Sequence, residues 1–290
     1  MREIAASRIS AVLAELIVKI STELGEDILT ALHKAYEAEE SPAGRDILQS
    51  LLENARIAKE KKIPLCQDTG TAIVFAEVGQ EVHVTGNFTD AINLGVRQGY
   101  EQAYLRKSIV SHPFSKRINT NDNTPAVIHT EIVPGDRLKI SFMAKGSGAE
   151  NMSRLFMLKP GVGREGVIEA VLETVEKAGG SPCPPIIIGL GVGATAEKAM
   201  FMAKKALLRP LGITHTDPEV AALETEVLKQ VNKLGIGPLG LGGRVTALGV
   251  MAETAPTHIA SLPVAVTCSA IVPVMVRRCF DVKYKTKFSF

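Results

Sequence analysis

Two uncharged runs of 18 residues, Gly179–Ala196 and Ile259–Val276, constrain the fold of this chain more than any other feature. Each nominally reaches the length of a membrane-spanning helix. The first, however, is broken by three prolines and five glycines, and the second is valine-rich and contains Pro263 and Pro273. Apolar, β-branched runs punctuated in this way read as strands buried within a globular core. No membrane span is expected, and at 46% hydrophobic content the 290 residues suffice for a full core.

Helical periodicity accounts for the first 62 residues. Ile9, Val12, Leu13, Leu16, Ile17 and Ile20 follow helical spacing, and the charges between them argue against a signal peptide. A second helix is expected over Asp27–Glu39, and Ser41-Pro42 opens a third that reaches Lys61. Strands follow at Thr71–Val78 and Glu81–Thr85, then a helical pattern over 88–107 and a polar stretch, Ser108–Pro125. Ala126–Val133 and Arg137–Ala144 alternate around Pro134-Gly135-Asp136, which predicts a hairpin. Further on, strands are expected at Ile186–Leu190, Arg244–Glu253 and His258–Thr267. Helices are expected at Arg164–Lys177 and Thr195–Arg209, and from Asp217. The fold class expected is mixed α/β of the α+β kind: N-terminal helices followed by strands, hairpins and packed helices. No repeat or linker divides the chain, so a single domain over 1–290 is expected.

The charge balance restricts partners. Net charge is +2 with Lys and Arg scattered, aromatics make up 4%, and Trp is absent. A nucleic-acid surface is therefore not expected. Four cysteines make no disulfide framework and suit a reducing, cytoplasmic setting.

Two of those cysteines stand in stiff loops, Pro64-Leu65-Cys66-Gln67-Asp68-Thr69-Gly70 and Gly179-Gly180-Ser181-Pro182-Cys183-Pro184-Pro185. A thiol used only as a small hydrophobe belongs on a helix or strand face, whereas one in an irregular loop can present its sulfur. Two buried thiols near strand starts would account for them equally. Asp68 places a carboxylate two residues from Cys66. The loop Lys145-Gly146-Ser147-Gly148-Ala149-Glu150-Asn151 exposes backbone N–H groups suited to an anion, or is a plain turn. Gly189-Leu190-Gly191-Val192-Gly193-Ala194 fits the loose dinucleotide pattern, but no acidic strand end follows about 20 residues on. Tight helix–strand packing explains those glycines more simply. The six histidines form no zinc pattern; His258 stands out because Cys268 lies ten residues later. Three thiolates far apart in sequence are what a four-iron cube with one open iron would use.

Five ordered motifs resemble a known family. They are Cys66-Gln67-Asp68-Thr69-Gly70-Thr71, Asp122-Asn123-Thr124-Pro125-Ala126, Lys145-Gly146 with Glu150-Asn151, Ser181-Pro182-Cys183-Pro184-Pro185, and His258-Ile259-Ala260-Ser261-Leu262-Pro263. Together they resemble the α subunit of two-subunit class I fumarate hydratases and the related L-tartrate dehydratases, over about residues 1–268. The resemblance implies a 4Fe–4S cluster held by three cysteines, with Cys66 and Cys183 as the first two ligands. It departs at the third: family members carry the cysteine at the position of Ala270, and the tail 269–290 is atypical. Cys268 is the expected third ligand, with Cys279 in reserve.

The same resemblance implies roles for other residues. Asp68 handles the proton on the substrate hydroxyl, with Gln67 beside it. Arg106 clamps a substrate carboxylate, though its bare reading is a surface charge at a helix end. Gly148 and His258 supply further contacts. The implied partner is a β subunit carrying the base that takes the carbon-bound proton, so this chain alone should be inactive, and a homodimer or α2β2 assembly is expected. The reaction implied is reversible hydration of fumarate to L-malate, with tartrate dehydration as the alternative dicarboxylate chemistry. A dinucleotide-binding oxidoreductase and a cluster-free scaffold are the readings from other classes.

Overall fold

The computed structural model describes residues 2–271 and the backbone of residues 274–280. In chain order the elements begin with β1 (Arg2–Ala5), α1 (Ala6–Thr22), α2 (Glu26–Ala38), α3 (Pro42–Lys61), β2 (Thr71–Gly79) and β3 (Val82–Thr85). Next come α4 (Phe88–Gln102), β4 (Val127–Val133), β5 (Leu138–Lys145), α5 (Ser147–Glu150), β6 (Arg154–Leu158) and α6 (Gly163–Ala178). The chain continues as β7 (Ile186–Gly193), α7 (Ala196–Ala206), α8 (Pro218–Val231), β8 (Ala247–Ala255), β9 (Leu262–Ala270) and β10 (Val274–Phe280). The fold is mixed α/β, as expected. Among the described residues, none of the helices is long and apolar enough to cross a membrane.

The described chain packs as two compact units, one built from 2–21, 69–144 and 275–280, the other from 22–68 and 145–271. Their segments interleave, which is why no linker in the sequence marks a boundary.

In the first unit the strand order is β10-β5-β2-β4, with β2 and β4 parallel from Ile73↔Val127 to Gly79↔Val133. The hairpin expected between β4 and β5 does not form, because β2 lies between them. The turn after β4 instead bonds back onto the end of β2: Gln80 donates to the Val133 carbonyl at 2.9 Å and Glu81 to that of Gly135 at 3.0 Å. A Cβ on Gly79 would lie 2.3 Å from the Gly135 oxygen, so only glycine allows this approach. Leu13 and Ile17 of α1, Val96 and Tyr100 of α4, and Leu138 and Phe142 of β5 share one core. The Tyr100 hydroxyl donates to the Thr69 carbonyl at 2.6 Å, satisfying its buried polar end. The β1 strand, not expected from the sequence, pairs parallel with β3.

In the second unit the order is β6-β9-β7-β8, with β9 antiparallel to β7 and β6, and β8 parallel to β7. The 18-residue apolar runs supply the two central strands. Alternation assigns their faces. Ile186, Ile188 and Leu190 of β7 and Val264, Val266 and Cys268 of β9 meet α6 and α8 through Val171, Val175, Val227 and Val231. On the other face Ala265 meets Ala199 and Ala203 of α7. Cβ atoms on Gly189 and Gly191 would lie 2.1 Å from the carbonyl oxygens of Ala203 and Ala199. Close helix–strand packing therefore accounts for these glycines.

The same unit contains α2 and α3, whose junction is tied to a distant loop by Glu39. This carboxylate, 2% exposed, accepts N–H groups from Glu40, Ser41, Arg244 and Val245 at 2.8–2.9 Å. Burial pushes its pKa up, but these backbone donors prevail and hold it below the ordinary carboxylate value.

Candidate active site

Helix α3 delivers the first loop of the site. It ends at Lys62 in the left-handed region, and Leu65 then buries against Ala55 and Ala58 while the Asn54 side chain donates to the Leu65 carbonyl at 2.9 Å. With the chain pinned at Leu65, the next three residues turn outward: Cys66 and Asp68 are half-buried and Gln67 is exposed. Beyond the β5 strand, the short α5 turn meets this loop. Ser147 donates its N–H to Asp68 Oδ2 at 2.8 Å, satisfying a backbone donor that a helix start leaves open. Gly146 packs tightly here, since a Cβ on it would lie 3.1 Å from the same oxygen.

The third loop carries Cys183. Its own φ of +56° and its N–H bond to the Gly180 carbonyl, at 3.0 Å, turn the residue outward just before β7. Leu239, in the stretch Gly237-Pro238-Leu239-Gly240-Leu241-Gly242-Gly243, donates to the Pro184 carbonyl at 2.8 Å and braces the loop from behind. A Cβ on Gly148 would lie 2.8 Å from the Ser181 oxygen, so α5 approaches the Cys183 loop as closely as backbone permits. Partial burial, then the neighbouring Cys66 sulfur and Asp68 carboxylate, push the Cys183 thiol above its ordinary pKa. Cys66, Asp68, Gly148 and Cys183 are thus brought together, with Gln67 on the same loop.

Cys268 is placed differently. Its side chain is fully buried and shares the core face of β9 with Val264 and Val266. Burial pushes its thiol up to about 11, opposed by the ammonium of Lys145. It takes no part in raising Cys183, and among the described residues no three His, Cys, Asp or Glu side chains converge as a metal site. The three-thiolate set implied by the resemblance is therefore not assembled by Cys66, Cys183 and Cys268. Alternation supplies the reason, since residue 268 falls on the strand face that closes the core. The Cys279 side chain lies outside the described residues. Ala270, in register with Ile186, stands at the sheet end where the Cys183 loop enters, but it carries no sulfur.

His258 is not near this loop cluster. It is exposed in the segment joining β8 and β9, where the Ala260 N–H donates to its Nδ1 at 3.2 Å. That segment bonds to the far end of β7, where Thr257 donates to the Ala194 carbonyl at 3.0 Å. Cys183 precedes the first residue of β7, so the whole strand, roughly 20 Å, separates the two. His258 instead borders two cavities of about 400 and 560 Å³. Arg106 belongs to the other compact unit, where its carbonyl accepts the Thr69 hydroxyl at 2.6 Å and its side chain is exposed.

One group at the site belonged to a motif in the sequence but was given no role of its own. Lys145 is 1% exposed, and its Nζ stands 3.4 Å from Glu150 Oε2. The other oxygen of Glu150 accepts Lys204 Nζ of α7. Burial lowers the Lys145 pKa, with Glu150 and then Cys268 opposing. The signal available was Lys145 and Glu150 bracketing one glycine-rich turn, but α7 lies too far along the chain for spacing to supply Lys204.

Comparison with known proteins adds a separate line. Residues 10–273 match the family model described as fumarate hydratase (Fumerase). A protein of Methanocaldococcus jannaschii named putative L(+)-tartrate dehydratase subunit alpha is 43% identical over 265 residues, covering 89% of this chain and 93% of the relative. The L(+)-tartrate dehydratase subunit alpha of Escherichia coli K12 is 32% identical over 267 residues, covering 91% and 88%.

Proposed function

Since this chain belongs to the fumarate hydratase family, we propose that it is the α subunit of a hydro-lyase that adds water to fumarate to give L-malate, and reverses that step. The observation that carries the reading is the Asp68 carboxylate, oriented by the Ser147 N–H and set beside two loop thiols. In hydration, water adds across the double bond: its oxygen bonds one carbon, Asp68 takes one water proton as general base, and the other carbon receives a proton. In dehydration, protonated Asp68 returns its proton to the departing hydroxyl. A group on a β subunit handles the carbon-bound proton, so the α chain alone is inactive. Arg106 contributes a guanidinium whose fork matches a substrate carboxylate. The cluster implied by the resemblance carries no step here, because the described residues gather two thiols rather than three.

A second reading, dehydration of L-tartrate, is favoured by the names of the relatives. The chemistry at Asp68 is the same: loss of a hydroxyl from one carbon and a proton from its neighbour. The deciding experiment is co-expression with the β subunit under anaerobic conditions, then parallel assays of fumarate hydration and tartrate dehydration. Turnover of fumarate supports the first reading and turnover of tartrate alone the second. A folded complex inactive on both would sink the hydro-lyase assignment.

A further inference from the structure

The α5 turn that grips Asp68 is four residues long, too short to hold its own geometry. It is confined on two sides: the Asp68 carboxylate lies against Gly146 and the Ser181 backbone carbonyl against Gly148. The last residue of the turn, Glu150, is the one that reaches outside it. Glu150 Oε1 accepts Lys204 of α7, a helix packed rigidly against Gly189 and Gly191, and Glu150 Oε2 faces the buried Lys145 ammonium at 3.4 Å. Both Lys145 Nζ and Glu150 Oε2 are buried, and among the described residues neither meets a well-aligned hydrogen-bond partner. The ion pair stands at the point where β5 ends and the turn begins.

We propose that Glu150, clamped between Lys145 and Lys204, is a positioning residue that sets the orientation of Asp68 through the Ser147 N–H. The proposal rests on the hydro-lyase reading for its catalytic consequence, but not for its structural one. Removing the negative charge leaves two ammonium groups facing each other across the turn, which then rotates away from Asp68. A small displacement of a proton-transfer group is costly to rate and nearly silent in binding.

The test uses the complex with the β subunit. Glu150→Gln and Lys204→Met are each expected to speed amide exchange at Ser147 and to lower kcat about tenfold or more, with KM changed less than about twofold. Lys204→Arg, which keeps the charge, is expected to retain both readouts of the unmodified complex. Should Glu150→Gln fail to fold, Lys204→Met decides, because it removes only the ammonium and keeps an unbranched side chain that helices favour. Unchanged exchange at Ser147 overturns the proposal, and so does faster exchange with unaltered kcat. If the unmodified complex proves inactive, the hydro-lyase reading has failed, and the exchange result alone judges the clamp.

Discussion

Ser147 donates its N–H to the Asp68 carboxylate at 2.8 Å across 79 residues of sequence. The bond fixes one oxygen of Asp68 and leaves the carboxylate half-buried beside Cys66 and Cys183. A half-buried carboxylate oriented by a backbone donor is suited to passing a proton.

Asp68→Asn is therefore expected to lower kcat by about 10²–10⁴ while the protein stays folded. The amide keeps the shape and an oxygen for Ser147 to bond, so thermal unfolding should shift little. Steady-state rates with the β subunit, set beside the melting curve, check this. A variant retaining full kcat would remove Asp68 from the mechanism.

Glu39→Gln is expected to destabilise the chain by about 2–4 kcal/mol, since a buried carboxylate with four backbone donors is replaced by a neutral group that repels some of them. The sign of the pH dependence follows from the lowered pKa. Between the folded value and 4.5 the unfolded chain binds the proton and the folded one does not. Stability from Glu39 is thus complete above 4.5 and is lost as pH falls through the folded value. Urea unfolding from pH 7 to pH 3 should show a steeper acid loss in the wild type than in Glu39→Gln.

The three described thiols should divide by reactivity. Cys66 and Cys183 reach solvent and are expected to label within minutes, whereas Cys268 should label only on unfolding. Peptide mapping by mass spectrometry reads this directly. Cys268→Val should cost less than about 1.5 kcal/mol, as a near volume-conserving exchange among valines. It should also remove one alkaline effect. Between pH 9.0 and about 11 the unfolded thiol has lost its proton and the folded one has not, so its contribution falls by about 3 kcal/mol as pH rises across that window. Lys145, whose pKa is lowered from 10.5, works in the opposite sense, so the difference between wild type and variant is the quantity to measure.

Ala270→Cys would put a third sulfur at the sheet end where Cys183 enters, in register with Ile186. After anaerobic reconstitution with iron and sulfide, this variant is expected to hold more iron than the wild type. A further Cys183→Ser change should abolish the gain. Equal iron content in wild type and Ala270→Cys would mean that this strand end does not serve the site.

The long periodic helices were legible because their signals are local: Ile9 to Ile20 for α1, and Ser41-Pro42 for α3, where Ser41 indeed caps the helix. The strand pairing of β4 was not. A turn sequence suggests a hairpin, but whether two strands become neighbours depends on a third, and β2 took the place between them. In the site, Cys66, Asp68 and Cys183 could be grouped because their loops have distinctive motifs. The burial of Cys268 follows from parity rather than residue count, since 268 shares parity with Val264 and Val266 on the core face. The Lys204 link to Glu150 has no sequence signature, because it joins residues 54 positions apart on elements that meet only in three dimensions.

The interleaving of the two units has a consequence for biosynthesis. Asp68 is the last residue of one segment of its unit and Lys145 the first of the next, and the whole stretch 69–144 is spent on the other unit. As the chain emerges from the ribosome, Asp68 appears long before the turn that orients it. The Asp68–Ser147 bond has high sequence separation and bears a correspondingly large closure entropy, so it belongs among the late-forming contacts. The reactive centre would then mature only after the turn at Ser147 has emerged. A nascent chain arrested anywhere before Ser147 would carry Cys66 and Asp68 exposed and unorganised.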